Sequence, residues 1–188
     1  MDLTRLGRTE RVLAVVGVLA LIDSFLPWYS VSGKGLAAGI SYSENAWDVG
    51  VGGWFPLLLL LAVGVVVALP AAGRSVVVRG GYAAFGAAAA LATLIILIRW
   101  LTYPSLPGEA AGYADAGAGF GTYAGLILAV VATVFAYLAF TAAGGSIAAF
   151  GDAFKVPADR AAPQGQPAAD WPQAPGETPA EWRQPPQQ

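Results

Sequence analysis

The chain has 188 residues, of which 56% are hydrophobic and only 12% are charged. A soluble domain carries about 25% charged residues, so this composition indicates a membrane protein. The net charge of −2 gives no basis for a nucleic-acid partner, and the absence of Cys and His from the sequence excludes disulfides, thiolate or imidazole metal sites and His-based catalysis.

Four apolar stretches are predicted to be membrane-spanning helices, because each is near the ~20 residues that a hydrocarbon core of about 30 Å requires. They cover residues 12–28, 54–70, 82–101 and 122–141. They lie in a predicted transmembrane domain over residues 12–145, which follows a basic N-terminus at residues 1–11. The first stretch could instead be a cleaved signal peptide, but no A-x-A site follows it. We therefore expect an all-α membrane protein, a bundle of four transmembrane helices.

The predicted orientation places both termini in the cytoplasm, because short cytoplasmic loops carry an excess of Lys and Arg. Basic residues precede the first helix and separate the second from the third: Arg5, Arg8, Arg11, Arg74 and Arg79. Three indoles, those of Trp28, Trp54 and Trp100, stand at the predicted outer ends of helices, where Trp anchors at the membrane interface. The expected location is thus the cytoplasmic membrane, as a multi-pass protein.

The two predicted exterior loops differ in pattern. In the first loop, apolar or aromatic residues alternate with Ser around the turn signal Gly33-Lys34-Gly35, which predicts a short β-hairpin. The second loop, residues 102–121, is rich in Pro, Gly and Ala, and we expect it to be irregular, with a helical turn near residues 109–113. Aromatic side chains on these loops are either interface anchors, the simpler interpretation, or contacts for an envelope partner.

Small residues recur every fourth position along the last predicted helix, namely Gly121, Gly125, Ala129 and Thr133. Because lipid is as apolar as the helices, close packing of small residues is what brings membrane helices together. The stripe therefore either seats this helix within the bundle or forms a homo-oligomer. We favour the first interpretation, since an Ala-rich sequence produces such patterns by chance. The second helix is mostly Leu and Val, which predicts a lipid-facing position.

Two ionisable residues fall within the predicted spans, Asp23 in the first helix and Arg99 in the third. Their axial offset is about 9 Å at 1.5 Å per residue, so they are a candidate intramembrane ion pair if these helices touch. In the second interpretation they act independently, with Arg99 extending toward the interface. In the third, Asp23 binds a proton or cation in a transport path.

The segment after the fourth helix divides into two parts. Ile147, Phe150 and Phe154 recur at helical spacing, which predicts an interfacial helix over residues 146–156. Residues 157–188 are rich in Pro, Gln and Ala, and are expected to be disordered. Trp171 and Trp182 lie in this tail and are candidate docking anchors for a cytoplasmic protein partner, although they could also have no such role.

Three short features resemble a known family. Ser24-Phe25-Leu26-Pro27 closes the first helix, Ala68-Leu69-Pro70 closes the second before basic residues, and a Pro/Gln-rich tail follows the fourth. In this layout the chain resembles small actinobacterial four-helix membrane proteins related to the mycobacterial 34 kDa antigenic protein. The Ala, Gly and Arg bias also fits an actinobacterial genome. The resemblance implies an envelope-associated membrane protein near the machinery of cell-wall growth or division.

The sequence offers no constellation of nucleophile, base and orienting group, so we expect no enzyme activity and no cofactor. The leading hypothesis is a structural or adaptor protein of the bacterial cell envelope, which lies in the lipid bilayer and binds partners through its tail and first exterior loop. The alternative is a small transporter or channel subunit that uses Asp23. A transport path needs several facing polar groups, and the predicted spans contain few.

Overall fold

Four α-helices account for more than half of the residues that the structure describes: α1 (Arg8–Asp23), α2 (Val51–Ala68), α3 (Tyr82–Leu101) and α4 (Phe120–Ala142). The computed structural model describes residues 6–74, 78 and 80–146, all within one compact unit. The predicted interfacial helix beyond Ser146 and the predicted tail with Trp171 and Trp182 lie outside the described residues. The prediction of four helices is confirmed.

The first helix is shorter than predicted, because it ends at Asp23 instead of continuing to residue 28. The next amides form turn-type bonds, from Phe25 N–H to the Ile22 carbonyl and from Leu26 N–H to the Asp23 carbonyl. Pro27 follows, and a proline disfavours helical geometry in the residue before it. The helix of 16 residues is about 24 Å long.

Three helical segments are long and apolar enough to cross a membrane: Val51–Ala72, Tyr82–Leu101 and Phe120–Ala142. The first of these joins α2 to a 3₁₀ turn at Leu69–Ala72, which ends at Gly73 in the left-handed conformation (φ 73°). Glycine adopts this conformation without the steric cost that a Cβ imposes. The structure thus shows four helices, of which three have the length and composition of a membrane span.

The helices follow one another around the bundle, so that α1 packs on α2, α2 on α3, α3 on α4 and α4 on α1. Consequently α1 and α3 lie on a diagonal. The core between the helices is apolar and includes Leu13, Leu57, Leu60, Ile96 and Ala132. The Leu- and Val-rich surface of α2 is divided, because Leu57, Leu60 and Gly64 are buried in the bundle whereas Phe55 and Val65 are exposed on its outside.

The closest approach of α1 and α2 occurs where Gly17 faces Gly64. A Cβ added to Gly17 would lie 2.9 Å from the Gly64 Cα, and one added to Gly64 would lie 2.8 Å from the Gly17 Cα. Neither distance is compatible with a side chain, so both positions require glycine. This contact lets the two backbones approach closely, as small residues do at the interfaces of membrane helix pairs.

A three-stranded antiparallel sheet lies where α1 and α3 end and α2 and α4 begin, which we call the sheet end of the bundle. Its strands are β1 (Tyr29–Gly33), β2 (Ser41–Glu44) and β3 (Ala114–Ala118), in the order β2-β1-β3. The predicted hairpin is confirmed as β1 and β2, with Val31 opposite Tyr42. A 3₁₀ turn at Gly35–Ala37 lies between the two strands.

The third strand was not predicted, because the second loop was expected to be irregular. That loop contains a 3₁₀ turn at Gly108–Gly112, near the expected helical turn, and then β3, whose Ala116 pairs with Val31. Its residues, Ala-Asp-Ala-Gly-Ala, have low strand propensity. The strand forms because β1 presents a free edge, and a 2.5 Å ion pair between Lys34 and Asp115 joins the two strands.

Replacing Gly64 with Ala should lower the free energy of unfolding by about 1–3 kcal/mol, because the added methyl overlaps the α1 backbone. The matched control is Gly86→Ala in α3, where an added Cβ has no heavy atom within 4 Å. This control should leave stability unchanged or raise it by up to about 1 kcal/mol. Detergent unfolding followed by circular dichroism measures both, and equal effects of the two substitutions would contradict the close approach.

Candidate functional site

Trp28 lies fully buried at the joint between the helices and the sheet. Its backbone N–H donates to the Glu44 carbonyl at 2.7 Å, and its own carbonyl accepts from the Gly119 N–H at 2.8 Å. These bonds extend the pairing of β1 with its two neighbouring strands toward the helices. The prediction that Trp28 is an interface anchor is therefore wrong, since the indole faces the protein interior and not the lipid boundary.

Space for this indole comes from α4. A Cβ at Gly121 would overlap the Trp28 ring, and one at Gly125 would lie 2.8 Å from both the ring and an Asp23 carboxylate oxygen. Further along the same face, Ala129 is fully buried and the Thr133 hydroxyl lies 3.1 Å from that of Thr93 on α3. The small-residue stripe of α4 therefore contacts neighbours within this chain.

Asp23 is the last residue of α1 and is only 2% exposed. Its Oδ2 accepts a hydrogen bond from the Trp28 indole N–H at 3.2 Å, whereas its Oδ1 is buried and has no hydrogen-bond partner. The adjacent Ser24 hydroxyl donates to the Leu21 carbonyl at 2.6 Å and accepts from the Trp47 indole N–H at 3.2 Å. The end of α1 is thus bonded to two indoles, those of Trp28 and Trp47.

Polar groups continue from Trp28 across the bundle. The Thr122 hydroxyl lies 2.7 Å from the Trp28 carbonyl and 3.0 Å from the Tyr103 hydroxyl. Because a carbonyl can only accept, Thr122 must donate to Trp28 and accept from Tyr103. Burial raises the pKa of the Tyr103 phenol above its ordinary value, which favours the protonated, donating form.

Arg99 completes this arrangement on the far side of Tyr103. Its guanidinium carbon lies 4.6 Å from the centre of the Tyr103 ring, a cation–π geometry. One terminal nitrogen donates to the Val49 carbonyl at 3.2 Å, while the buried Nε has no hydrogen-bond partner. We call Asp23, Ser24, Trp28, Arg99, Tyr103 and Thr122 together the polar layer.

The predicted ion pair between Asp23 and Arg99 is not formed. The two residues belong to helices on a diagonal of the bundle. Hydrogen bonds link Asp23 through Trp28 and Thr122 to Tyr103, whose ring makes the cation–π contact with Arg99. Both residues lie near the same end of the bundle, as expected. The ion pair also required that α1 pack against α3, and these two helices instead lie on a diagonal. Each charged group instead has its own uncharged partners.

Sequence reasoning identified the two charged residues of this layer but missed the residues that connect them. Thr122 and Tyr103 carry no periodic signal, because one follows a glycine at a helix start and the other lies in a loop. The burial of Trp28 did have a signal, since Gly121 and Gly125 leave a space on one helical face that a large ring can fill. Among the described residues, no group of three or more acidic side chains could hold a metal ion.

Replacing Trp28 with Phe should lower the free energy of unfolding by about 1–3 kcal/mol, because the buried carboxyl of Asp23 loses its only side-chain donor. The control is Trp100→Phe on α3, whose ring is partly exposed and makes an edge contact with Tyr123. We expect a change below about 0.5 kcal/mol for this control. Similar losses for both variants, measured by circular dichroism, would show that the indole N–H is unimportant.

Replacing Asp23 with Asn should cost less than about 1 kcal/mol, because the amide oxygen can still accept from the Trp28 indole. Breaking a buried ion pair would cost about 3–5 kcal/mol instead. The same unfolding measurement therefore separates the observed arrangement from a pair with Arg99. A loss of several kcal/mol for this substitution would favour the pair, especially if Arg99→Gln gave the same loss.

Comparison of the sequence with protein-family models and with curated proteins finds no match, and comparison with solved structures finds none either. The resemblance to actinobacterial four-helix proteins of the 34 kDa antigenic type therefore stays a prediction. The functional argument for this chain therefore depends on the geometry of the polar layer and of the sheet next to it.

Proposed function

We propose that this protein is a structural or adaptor protein of the cell envelope that crosses the membrane four times and presents its sheet outside. In this proposal the bundle holds the sheet at the membrane surface, and the sheet binds a partner through its hairpin. The C-terminal tail, with Trp171 and Trp182, supplies a second contact with a cytoplasmic protein. No catalytic step is part of the proposed function.

The outward face of α1 supports its assignment as the fourth span. Val15, Val18 and Ile22 are each more than half exposed and point away from the other helices. Contiguous exposed apolar surface on this scale marks contact with a membrane or another protein. The other three helices expose large apolar side chains as well, among them Leu94 and Ile127. All four helices therefore have the surface that a surrounding lipid phase favours.

The charges at the two ends of the bundle support the proposed orientation. Arg8, Arg11 and Arg74 lie at the end opposite the sheet, where α1 begins and α2 has ended. At the sheet end, Lys34 is paired with Asp115, and Glu44 and Asp48 add negative charge. Because basic residues concentrate on the cytoplasmic side of bacterial membrane proteins, the sheet is assigned to the exterior.

One observation carries the adaptor assignment, namely the apolar side chains that the hairpin exposes. Leu36 at the hairpin turn is fully exposed, and Ile40 and Tyr42 are 71% and 59% exposed. Tyr42 lies on β2 and Ile40 directly precedes it, and β2 is an edge strand with one unpaired side. An exposed edge strand with apolar neighbours is a template for pairing with another chain. We therefore assign the partner contact to this hairpin.

The alternative of a transporter or channel subunit that uses Asp23 has less support. Among the described residues, the buried polar side chains are those of Asp23, Ser24 and Thr122, all at the sheet end. The middle of the bundle contributes one more polar contact, between Thr93 and Thr133. The remaining core side chains are apolar, which disfavours a water-filled path through the bundle.

The lack of Cys in the sequence allows a direct test of orientation. A single cysteine at Leu36 should react with a membrane-impermeant maleimide in intact cells, whereas a single cysteine at Arg74 should react only after permeabilisation. Both positions are exposed in the structure, so accessibility to the reagent differs only by the side of the membrane. Labelling of Arg74→Cys in intact cells would contradict the proposed topology.

The adaptor proposal is tested by cross-linking in cells, followed by purification through a tag. Leu36→Ser combined with Ile40→Ser should remove the exterior partner by weakening the hairpin contact, and truncation before Ala158 should remove the cytoplasmic one. Ser105→Ala, an exposed change in the other exterior loop, serves as the control and should retain both partners. Recovery of the same cross-linked partners from every variant would overturn the proposal.

A further inference from the structure

A groove of about 300 Å³ opens between α1 and α4 beside the polar layer. Its walls are the apolar side chains of Leu19, Ile22 and Leu26 on one side and of Ala124, Ile127 and Leu128 on the other, and Asp23 is the one polar residue that lines it. Ile22 and Ile127 are 55% and 63% exposed at its rim, so the groove opens on the outside of the bundle and not toward its core.

The carboxyl group in this groove is incompletely satisfied. Oδ2 of Asp23 faces the Trp28 indole, but Oδ1 is buried and accepts no hydrogen bond. Among the described residues, no Lys or Arg forms a salt bridge with it; Lys34 is paired with Asp115 instead. A buried oxygen without a donor is unfavourable, and no group in the described part of the chain offsets this cost.

We propose that this groove binds a membrane amphiphile whose hydroxyl or amide head donates a hydrogen bond to the Asp23 carboxyl. The apolar walls accept an alkyl body, and the Asp23 carboxyl, at the buried inner wall of the groove, accepts the head. The volume is at the lower end of the range for small-molecule sites, about 300–1,000 Å³. The binding site is separate from the hairpin of the proposed adaptor function, and it requires only that α1 and α4 face lipid.

The position of the groove along the helix axis fits such a ligand. Asp23 is the last residue of α1 and lies directly below the sheet, whereas Leu19 is one turn deeper. An amphiphile that enters from the outer leaflet would therefore place its head near the polar layer and its alkyl chain beside Leu19 and Ile127. This is the order in which headgroup and acyl regions occur in a bilayer.

The hydrophobic reagent dicyclohexylcarbodiimide is a suitable probe, because it partitions into lipid and reacts with protonated carboxyl groups. The carboxyl proton moves to one carbodiimide nitrogen while the carboxyl oxygen bonds to the central carbon, which gives an O-acylisourea. The acyl group then shifts from oxygen to nitrogen and leaves a stable N-acylurea. The final adduct retains every atom of both reactants, so no oxidant or reductant is needed.

Membrane vesicles that contain the full chain should be treated with this reagent and analysed by peptide mass spectrometry. We expect one adduct, on Asp23, that is absent from the Asp23→Asn variant. Prior addition of 1-dodecanol should reduce the adduct at least several-fold, whereas dodecane, which has the same alkyl chain without the hydroxyl, should leave it unchanged. A water-soluble carbodiimide should label the exposed Asp115 but not Asp23.

Two substitutions on α4 test the location of the site without altering the core. Ile127→Trp fills the rim of the groove and should reduce labelling of Asp23 several-fold. Val130→Trp, at a position of the same helix that is 45% exposed and does not line the groove, is the control and should label like the unchanged chain. Circular dichroism confirms that both variants fold.

Three outcomes would overturn the proposal. The first is no adduct on Asp23 in membranes when the same carboxyl is labelled after unfolding in detergent, because the groove would then be closed. The second is equal protection by dodecane and dodecanol, because the head would then have no role. The third is equal labelling of the two Trp variants, because the reagent would then reach Asp23 by another route. None of these outcomes alters the test of the hairpin contact.

Discussion

The burial of the Trp28 indole determines how the sheet sits on the helices. The ring fills the space that Gly121 and Gly125 leave on α4, while its backbone bonds to Glu44 and Gly119 continue the two strand pairings. One residue therefore belongs to the helix packing and to the sheet at once. A tight fit of this kind is sensitive to changes of even one methylene, so the orientation of the whole sheet on the helices depends on it.

The polar layer shows how a helical bundle can hold an acidic and a basic side chain without pairing them. Arg99 is stabilised by a backbone carbonyl and an aromatic face, and Asp23 by an indole. Uncharged hydroxyls connect the two ends. This arrangement leaves one buried oxygen of the Asp23 carboxyl without a hydrogen-bond partner among the described residues, whereas a salt bridge would have engaged it. The polar layer therefore joins the helices and still contains one carboxyl oxygen that accepts no hydrogen bond from the described residues.

Much of the fold could be predicted from the distances between charges and from period-two alternation, which gave the four helices and the hairpin. The candidate site could not, because helix order around a bundle is not encoded in any one helix: the Asp23–Arg99 pair failed when α1 and α3 proved to be diagonal. Likewise, a Trp at the end of an apolar run suits both an interface and a buried joint. The strand β3 escaped prediction because its pairing depends on the free edge of β1 and not on its own residues.

In the sequence, two strands of the sheet precede α2 and the third follows α3. This connectivity determines the order in which the strands become available for pairing. The hairpin of β1 and β2 is complete early in synthesis, but its partner Ala114–Ala118 emerges only after α3. Since α4 follows β3 directly, the joint around Trp28 can close only when the last helix has been made. A chain that stops before α4 would therefore lack both the Gly119 bond to Trp28 and the space at Gly121 and Gly125 that the indole fills, so its sheet would have no fixed seat on the helices.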